Sequence, residues 1–307
     1  MFRVGKTRIQ KVFEMDLNGM MFEQLLPDLD PADLRAHPDW VPAGTGDDEG
    51  HALLSIHSWL IHHDGRTILV DTGAGNDKAR PDQPILDHLG SPFLERLRQA
   101  GVGPGQVDAI LHTHIHSDHV GWDTRLEGDR SVPTFPNATV ICSGLEWRYG
   151  AALADDDADG IAAARRQAGL GEPVRTPVSG TFADSMRPLE PAGKVWLIDV
   201  DGSEVLPGIR FIPTPGHSID HASIEIESDG EVALFGGDVL HHPLEIHDTD
   251  LVSCFCEFPG AVGRSRRALL KRAVERRATV FSSHFPLSSA GRIVREGDGY
   301  AWNFEKE

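Results

Sequence analysis

Cysteine is scarce: the 307 residues hold three, Cys142, Cys254 and Cys256. An odd, sparse set cannot form the framework of bridges that staples small secreted domains, so the core must come from apolar burial. All three read as reduced packing residues of a cytoplasmic protein, with Cys254 and Cys256, two apart, on one face of a strand. Basic residues are also short. Lys and Arg number 29 against 47 Asp and Glu, a net charge of -18. Such a surface repels nucleic-acid phosphates and anionic lipid headgroups, which sets both aside as partners. No apolar run approaches the roughly 20 residues of a bilayer crossing. Arg3, Lys6, Arg8 and Lys11 have no apolar stretch behind them, so no secretory leader is expected. With 40% apolar and 25% charged residues and a mean hydropathy of -0.26, the chain has ordinary globular usage, which excludes a disordered chain.

Residues 1–50 are weakly patterned. An apolar group from Met20 to Leu26 is followed by a stretch rich in Pro, Asp and Gly. They read as one strand and a long loop, an N-terminal extension that packs on a site or makes a homodimer contact. Residues 51–307 read as a single domain. Short apolar or alternating runs predict strands at 53–62, 67–70, 107–111, 139–142, 195–200, 209–213, 222–227, 232–235 and 279–282, with a closing hairpin at 291–304. Asp64-Gly65 marks a hairpin turn. Helices are expected after Ser91-Pro92, after the capping Ser143, over 155–169 and over 263–277. Residues 171–193 read as an irregular connection. Mixed elements without a flexible linker predict an α/β fold with two sheets.

The sixteen histidines are the unusual presence, and the decisive run is Leu111-His-Thr-His-Ile-His-Ser-Asp-His-Val-Gly-Trp122. It follows an apolar strand directly and holds His114, His116, Asp118 and His119. Four ligands in so short a turn crowd one ion and suit two. Imidazole and carboxylate donors suit zinc, with manganese, cobalt and iron also accepted. A merely solvated histidine tract is the bland alternative, which the buried strand ahead of the run disfavours. Further candidates follow apolar strands at loop starts: His217 in Thr-Pro-Gly-His, Asp238 in Phe-Gly-Gly-Asp, and His284 in Ser-Ser-His-Phe. Asp71, at a strand end, can accept a proton from a ligand imidazole or close an Asx turn with Thr72 and Gly73.

The series Asp71-Thr72-Gly73, His114-x-His116-x-Asp118-His119, His217, Asp238 and His284 resembles the metallo-β-lactamase superfamily over most of the chain. The resemblance implies an αββα four-layer sandwich, two mixed sheets flanked by helices, with a dinuclear site at one edge. It implies that His114, His116 and His217 hold one divalent ion, that Asp118, His119 and His284 hold the other, and that Asp238 bridges them. The reaction implied is hydrolysis by a metal-bridging hydroxide, whose pKa two ions bring toward ~7. Asp118 is expected to move protons as well as ligate.

Gly121-Trp122, Gly237-Asp238-Val239-Leu240-His241-His242 and Ser283-His284-Phe285-Pro286 resemble the branch of quorum-quenching lactonases and organophosphate hydrolases similar to methyl parathion hydrolase. The expected activity is opening of a lactone ester, N-acyl-homoserine lactones among the candidates. Phosphotriester or aryl ester hydrolysis is the alternative, then β-lactam hydrolysis. Thioester hydrolysis lacks a basic cluster for glutathione, and a non-catalytic metal protein fits a full ligand set poorly. In several acyl-homoserine lactonases a tyrosine three residues beyond the bridging aspartate helps to polarise the lactone. His241 stands at that position here and is the expected donor to the substrate carbonyl. The small ester-like substrate is expected to meet an apolar pocket built from Met20, Met21, Phe22, Trp59, Trp122 and Phe285.

Overall fold

Within two adjoining strands, Trp59, Ile61, Ile68 and Val70 enter one apolar cluster, while Leu60 and Leu69 enter another. Neighbouring strand residues point to opposite faces, so strands that are apolar on both faces must lie between two layers. The structure, a computed structural model, describes residues 1–306 and satisfies this demand twice. The first sheet comprises β1 (Phe2–Val4), β2 (Thr7–Asp16), β3 (Ser55–His63), β4 (Arg66–Val70), β5 (Ala109–Leu111), β6 (Thr139–Ser143) and β7 (Val195–Ile198), in that spatial order. The second comprises β8 (Glu204–Leu206), β9 (Ile209–Pro213), β10 (Ala222–Ser228), β11 (Glu231–Gly237), β12 (Thr279–Ser282), β13 (Ala290–Glu296) and β14 (Gly299–Phe304), also in chain order.

Antiparallel neighbours follow one another directly. The parallel pairs β4–β5, β5–β6, β6–β7 and β11–β12 need crossovers; that between β5 and β6 is the histidine-bearing loop and the short hairpin after it, and the others are helical. These run through α1 (Phe93–Gln99), then α2 (Gly144–Ala154) with α3 (Ala158–Ala168), and α4 (Pro259–Arg276). The Ser143 hydroxyl caps α2 as expected, accepting from the Leu145 and Glu146 amides at 3.0 and 3.1 Å. Between the sheets, Trp59, Ile61, Ile68 and Leu111 meet Phe211, Ile224, Phe235 and Phe281. Outside the first sheet, Leu60, Leu69 and Ile110 pack with Phe93 and Leu97 of α1. Outside the second, Leu234 and Val280 pack with Leu269, Leu270 and Ala273 of α4. The layers are therefore helix, sheet, sheet and helix, the four-layer α/β sandwich.

Two local expectations change. Residues 1–50 hold more than one strand and a loop: β1 and β2 both join the first sheet, because Phe2, Val4, Thr7 and Ile9 are buried in alternation with the charges of Arg3 and Arg8 that hid the pattern, and a short strand at Met20–Met21 and short helices at Phe22–Leu25 and Pro31–Ala36 stand where a loop was expected. Residues 251–258 form no strand. Cys142 and Cys256 are buried, Cys254 is half-buried, and all three are free thiols.

Candidate metal centre

The loops after β5, β9, β11 and β12 meet at one edge of the sandwich and carry all seven expected ligands. Past β5 the chain folds back over residues 112–123, pinned where the Thr72 amide donates to the His119 carbonyl at 2.6 Å. Of its two expected roles Asp71 takes the first, holding a histidine of the cluster, and its carboxylate turns to residues 113 and 119 rather than to the amides of Thr72 and Gly73. Its backbone takes φ +55, and its carboxylate accepts from the Thr113 amide at 2.9 Å, the Thr113 hydroxyl at 2.8 Å and His119 Nδ1 at 2.9 Å. Past β9, Gly216 takes φ +133, and a Cβ there would stand 2.6 Å from the Val262 nitrogen, so the turn that delivers His217 requires glycine. At the end of β11, Gly237 at φ +58 leaves no room for a Cβ beside His221, whose Nε2 accepts from the Asp238 amide at 2.9 Å. Past β12, the Ser282 hydroxyl accepts from the His284 amide at 3.1 Å.

Each imidazole is held from outside by one nitrogen. His114 Nδ1 meets the Thr113 hydroxyl at 2.9 Å, His116 Nε2 the Glu257 carboxylate at 2.7 Å, and His284 Nδ1 the Ser55 carbonyl at 3.0 Å. His217 Nδ1 lies 3.7 Å from Cys256 Sγ. The other nitrogens face a common space. His116 Nδ1 and His217 Nε2 stand 2.9 Å apart, and His284 Nε2 lies 3.0 Å from Asp238 Oδ2. His119 Nε2 is 3.6 Å from Asp118 Oδ2. His114 Nε2, His119 Nε2 and Asp238 Oδ1 are buried without a hydrogen-bond partner. Such an orphan costs about 1–3 kcal/mol, and clustered orphans with lone pairs facing one another are what a cation offsets. Ligand atoms of His114, His116 and His217 lie within 4.8 Å of one another, as do those of Asp118, His119 and His284. His114, His119 and Asp238 form a third such group that joins the two.

The electrostatics keep two of the rings neutral, whereas burial at His119 is outweighed by Asp238, Asp118 and Asp71, which hold that ring well above the usual histidine range. Burial, then the neighbouring imidazoles, hold His114 well below the usual histidine range. Burial also depresses His217, although Asp238 opposes it. Neutral rings are the form that binds metal. Burial would raise Asp238, but His119, His284 and His217 outweigh it and keep the carboxylate ionised.

His241 is buried between the cluster and Glu245. Its Nε2 is 3.3 Å from Asp238 Oδ2, its Nδ1 is 3.8 Å from Glu245 Oε2, and neither nitrogen is hydrogen-bonded. With His217 and Asp238 it makes a fourth group able to hold an ion. Two supporting residues lay outside the sequence reading. Glu257 has no motif around it, and only the fold brings it to His116. His112, inside the histidine run, donates from Nε2 to Asp123 at 2.7 Å. Burial opposes its charge, but Asp123 and Asp71 raise it to about 9, so it cross-links the loop as an imidazolium.

A cavity of about 350 Å³ opens above the cluster, lined by His116, Asp118, His217, Asp238, His241 and His284 at its floor. Its walls are largely apolar, with Leu17, Met20, Leu54, Ile85, Leu86 and Phe255 among them. Of the six pocket residues expected from sequence, Met20 alone lines it. Trp59, Trp122 and Phe285 are drawn into the sheet and helix cores, where each buries its ring more fully than a cavity wall allows. Phe22 packs edge-on against His242, and Met21 pairs with His51 in a two-stranded ribbon.

Two solved structures share the architecture. A dizinc quorum-quenching lactonase, AidC, in complex with a homoserine product superposes with a TM-score of 0.77 at 19% identity, over 100% of this chain and 97% of its own. A hydrolase of the beta lactamase superfamily, AbOPH, does so with a TM-score of 0.74 at 23% identity, over 99% and 97%. A probable metallo-hydrolase of Mycobacterium tuberculosis, Rv2300c, is 28% identical over 214 residues, 65% of this chain and 61% of that protein's length. Residues 52–284 match the Metallo-beta-lactamase superfamily itself. With the sandwich, the histidine loop and the ligand groups in place along the same stretch, the chain belongs to that superfamily.

Proposed function

We propose that the protein is a metal-dependent hydrolase with a dinuclear centre that opens a lactone ester. His114, His116 and His217 would hold one ion and Asp118, His119 and His284 the other, with Asp238 within reach of both groups. The carrying observation is the set of buried, unpartnered donor atoms turned toward one another, each ring fixed by its far nitrogen. Zinc suits the donors, and manganese, cobalt or iron also fit. Bound divalent ions supply Lewis acidity and a nucleophilic hydroxide near neutral pH. The chain's own residues do the rest. Asp118, the most exposed carboxylate of the set at 21%, faces the cavity and accepts and returns the proton. His241, held parallel to His284 at 5.6 Å, offers an N–H to the substrate carbonyl. The apolar walls exclude water and take an acyl chain, which favours a lactone such as an N-acyl-homoserine lactone over a small polar ester.

Proton release on lactone opening tests this, measured with the metal-saturated protein and again after chelation. Metal-dependent release from at least one lactone is the expected result, and none from any lactone overturns the substrate reading. Turnover of a chromogenic phosphotriester or aryl ester in its place would point to the alternative activity, and nitrocefin cleavage to a β-lactamase.

A further inference from the structure

Among the residues that line the cavity, Arg175 is the one Lys or Arg. It is half-buried in a wall that is otherwise mostly apolar. Nη1 donates to the Cys254 carbonyl at 2.8 Å, and the guanidinium lies over the Phe255 ring at 5.6 Å. Among the described residues no carboxylate pairs with it. That is not for want of acids, since the chain has 47 against 29 bases. A guanidinium stays charged at every relevant pH and presents five donors in a planar fork matched to a carboxylate. One carbonyl and one ring face leave most of that fork unused.

Its position is also tied to the metal centre. The Val174 amide donates to the Glu257 carbonyl at 2.9 Å, and the Glu257 side chain meets His116. The Phe255 ring beneath the guanidinium lies 5.7 Å from the His241 ring. A group held at Arg175 therefore has a set distance from the ligand cluster, and the apolar wall between them spans it.

We propose that Arg175 recognises a carboxylate on the substrate, so that among the lactones opened here those whose apolar chain ends in an acid group, away from the scissile bond, are preferred. The inference rests on the hydrolase reading but fails separately from it. Two γ-lactones with side chains of equal length, one ending in a carboxylate and one in its methyl ester, are compared with zinc-loaded wild type, Arg175→Gln and Arg175→Lys. Wild type is expected to favour the carboxylate in kcat/KM by ~10- to 100-fold, the worth of a charge-assisted contact. Arg175→Gln should bring the ratio near one, and Arg175→Lys should restore part of it. Equal rates in wild type, or a preference that survives Arg175→Gln, overturn the proposal. If neither lactone is opened, the lactone reading falls, and calorimetry decides the role of Arg175 with the same acid side chain on a cyclopentane ring. Binding at least ten-fold tighter to wild type than to Arg175→Gln sustains the recognition, and equal binding overturns it.

Discussion

The floor and the walls of the cavity are built on different principles. The floor is made of strand ends: His114 to His119 follow β5, His217 follows β9, Asp238 follows β11 and His284 follows β12. His114, His116, His119, His217 and His284 each have an outer partner at one nitrogen, the arrangement a set of metal ligands needs, whereas His241 beside them has none. The walls come from segments outside the two main sheets, at 17–24, 54, 83–86, 175–178 and 255, held by scattered contacts such as the Ser117 hydroxyl on Gln83 at 3.0 Å. On the proposed reading the chemistry is mounted on the rigid frame, and selection of the substrate falls to segments outside it.

The comparison can be broken most forcefully at the floor. Asp118→Ala should keep the far-ultraviolet circular dichroism of the wild type yet lose ~10²–10⁴ of kcat/KM, the usual worth of a positioned proton carrier. Retained turnover would remove Asp118 from the mechanism. Next in size is the outer support of the floor. Glu257→Gln keeps the side-chain shape but removes the charge facing His116, and chelator competition should find metal affinity ~10- to 100-fold lower. An unchanged affinity would mean that the ring needs no such support. A wall substitution should behave oppositely. Phe255→Ala is expected to leave metal content intact while reducing the preference for long over short acyl chains by roughly 10-fold, and metal loss in that variant would erase the distinction between floor and wall.

The smallest effect concerns pH. Burial, then the Glu257 carboxylate, pushes Glu146 from its ordinary 4.5 up to about 7. Between those values the folded chain holds a proton that the unfolded chain has released, so stability falls as pH rises through the window. Glu146→Gln keeps acceptors for the Ser218 hydroxyl and the Asp220 amide, at 2.5 and 2.7 Å in the wild type. It should flatten the slope, narrowing the Tm difference between pH ~5 and ~7 by roughly 2–4 °C.

Much of the frame was legible in the linear pattern. β9 and β12 fall where their apolar runs begin and end, and the Ser143 cap and the Gly169 stop of α3 follow local rules. The N-terminal pair β1–β2 was half hidden, because charges on the exposed face masked a buried alternation. The pocket was misread for a physical reason. Large aromatic residues are equally at home in a core, and Trp59, Trp122 and Phe285 gain more by full burial than by facing a cavity. Arg175, Glu257 and His112 carry no local signal, since each acquires its role from a partner far away in the chain or across a loop.

By itself the sequence determined the kinds of donor and their order. An imidazole or carboxylate can bind a cation wherever it is placed, and a glycine at a strand end announces a turn whatever surrounds it. Only the tertiary structure decided which nitrogen of each ring is free, which carboxylate steadies it and which side chains meet the substrate. Those properties belong to pairs of residues up to 229 positions apart, as with His284 and Ser55, and no stretch of chain contains both members.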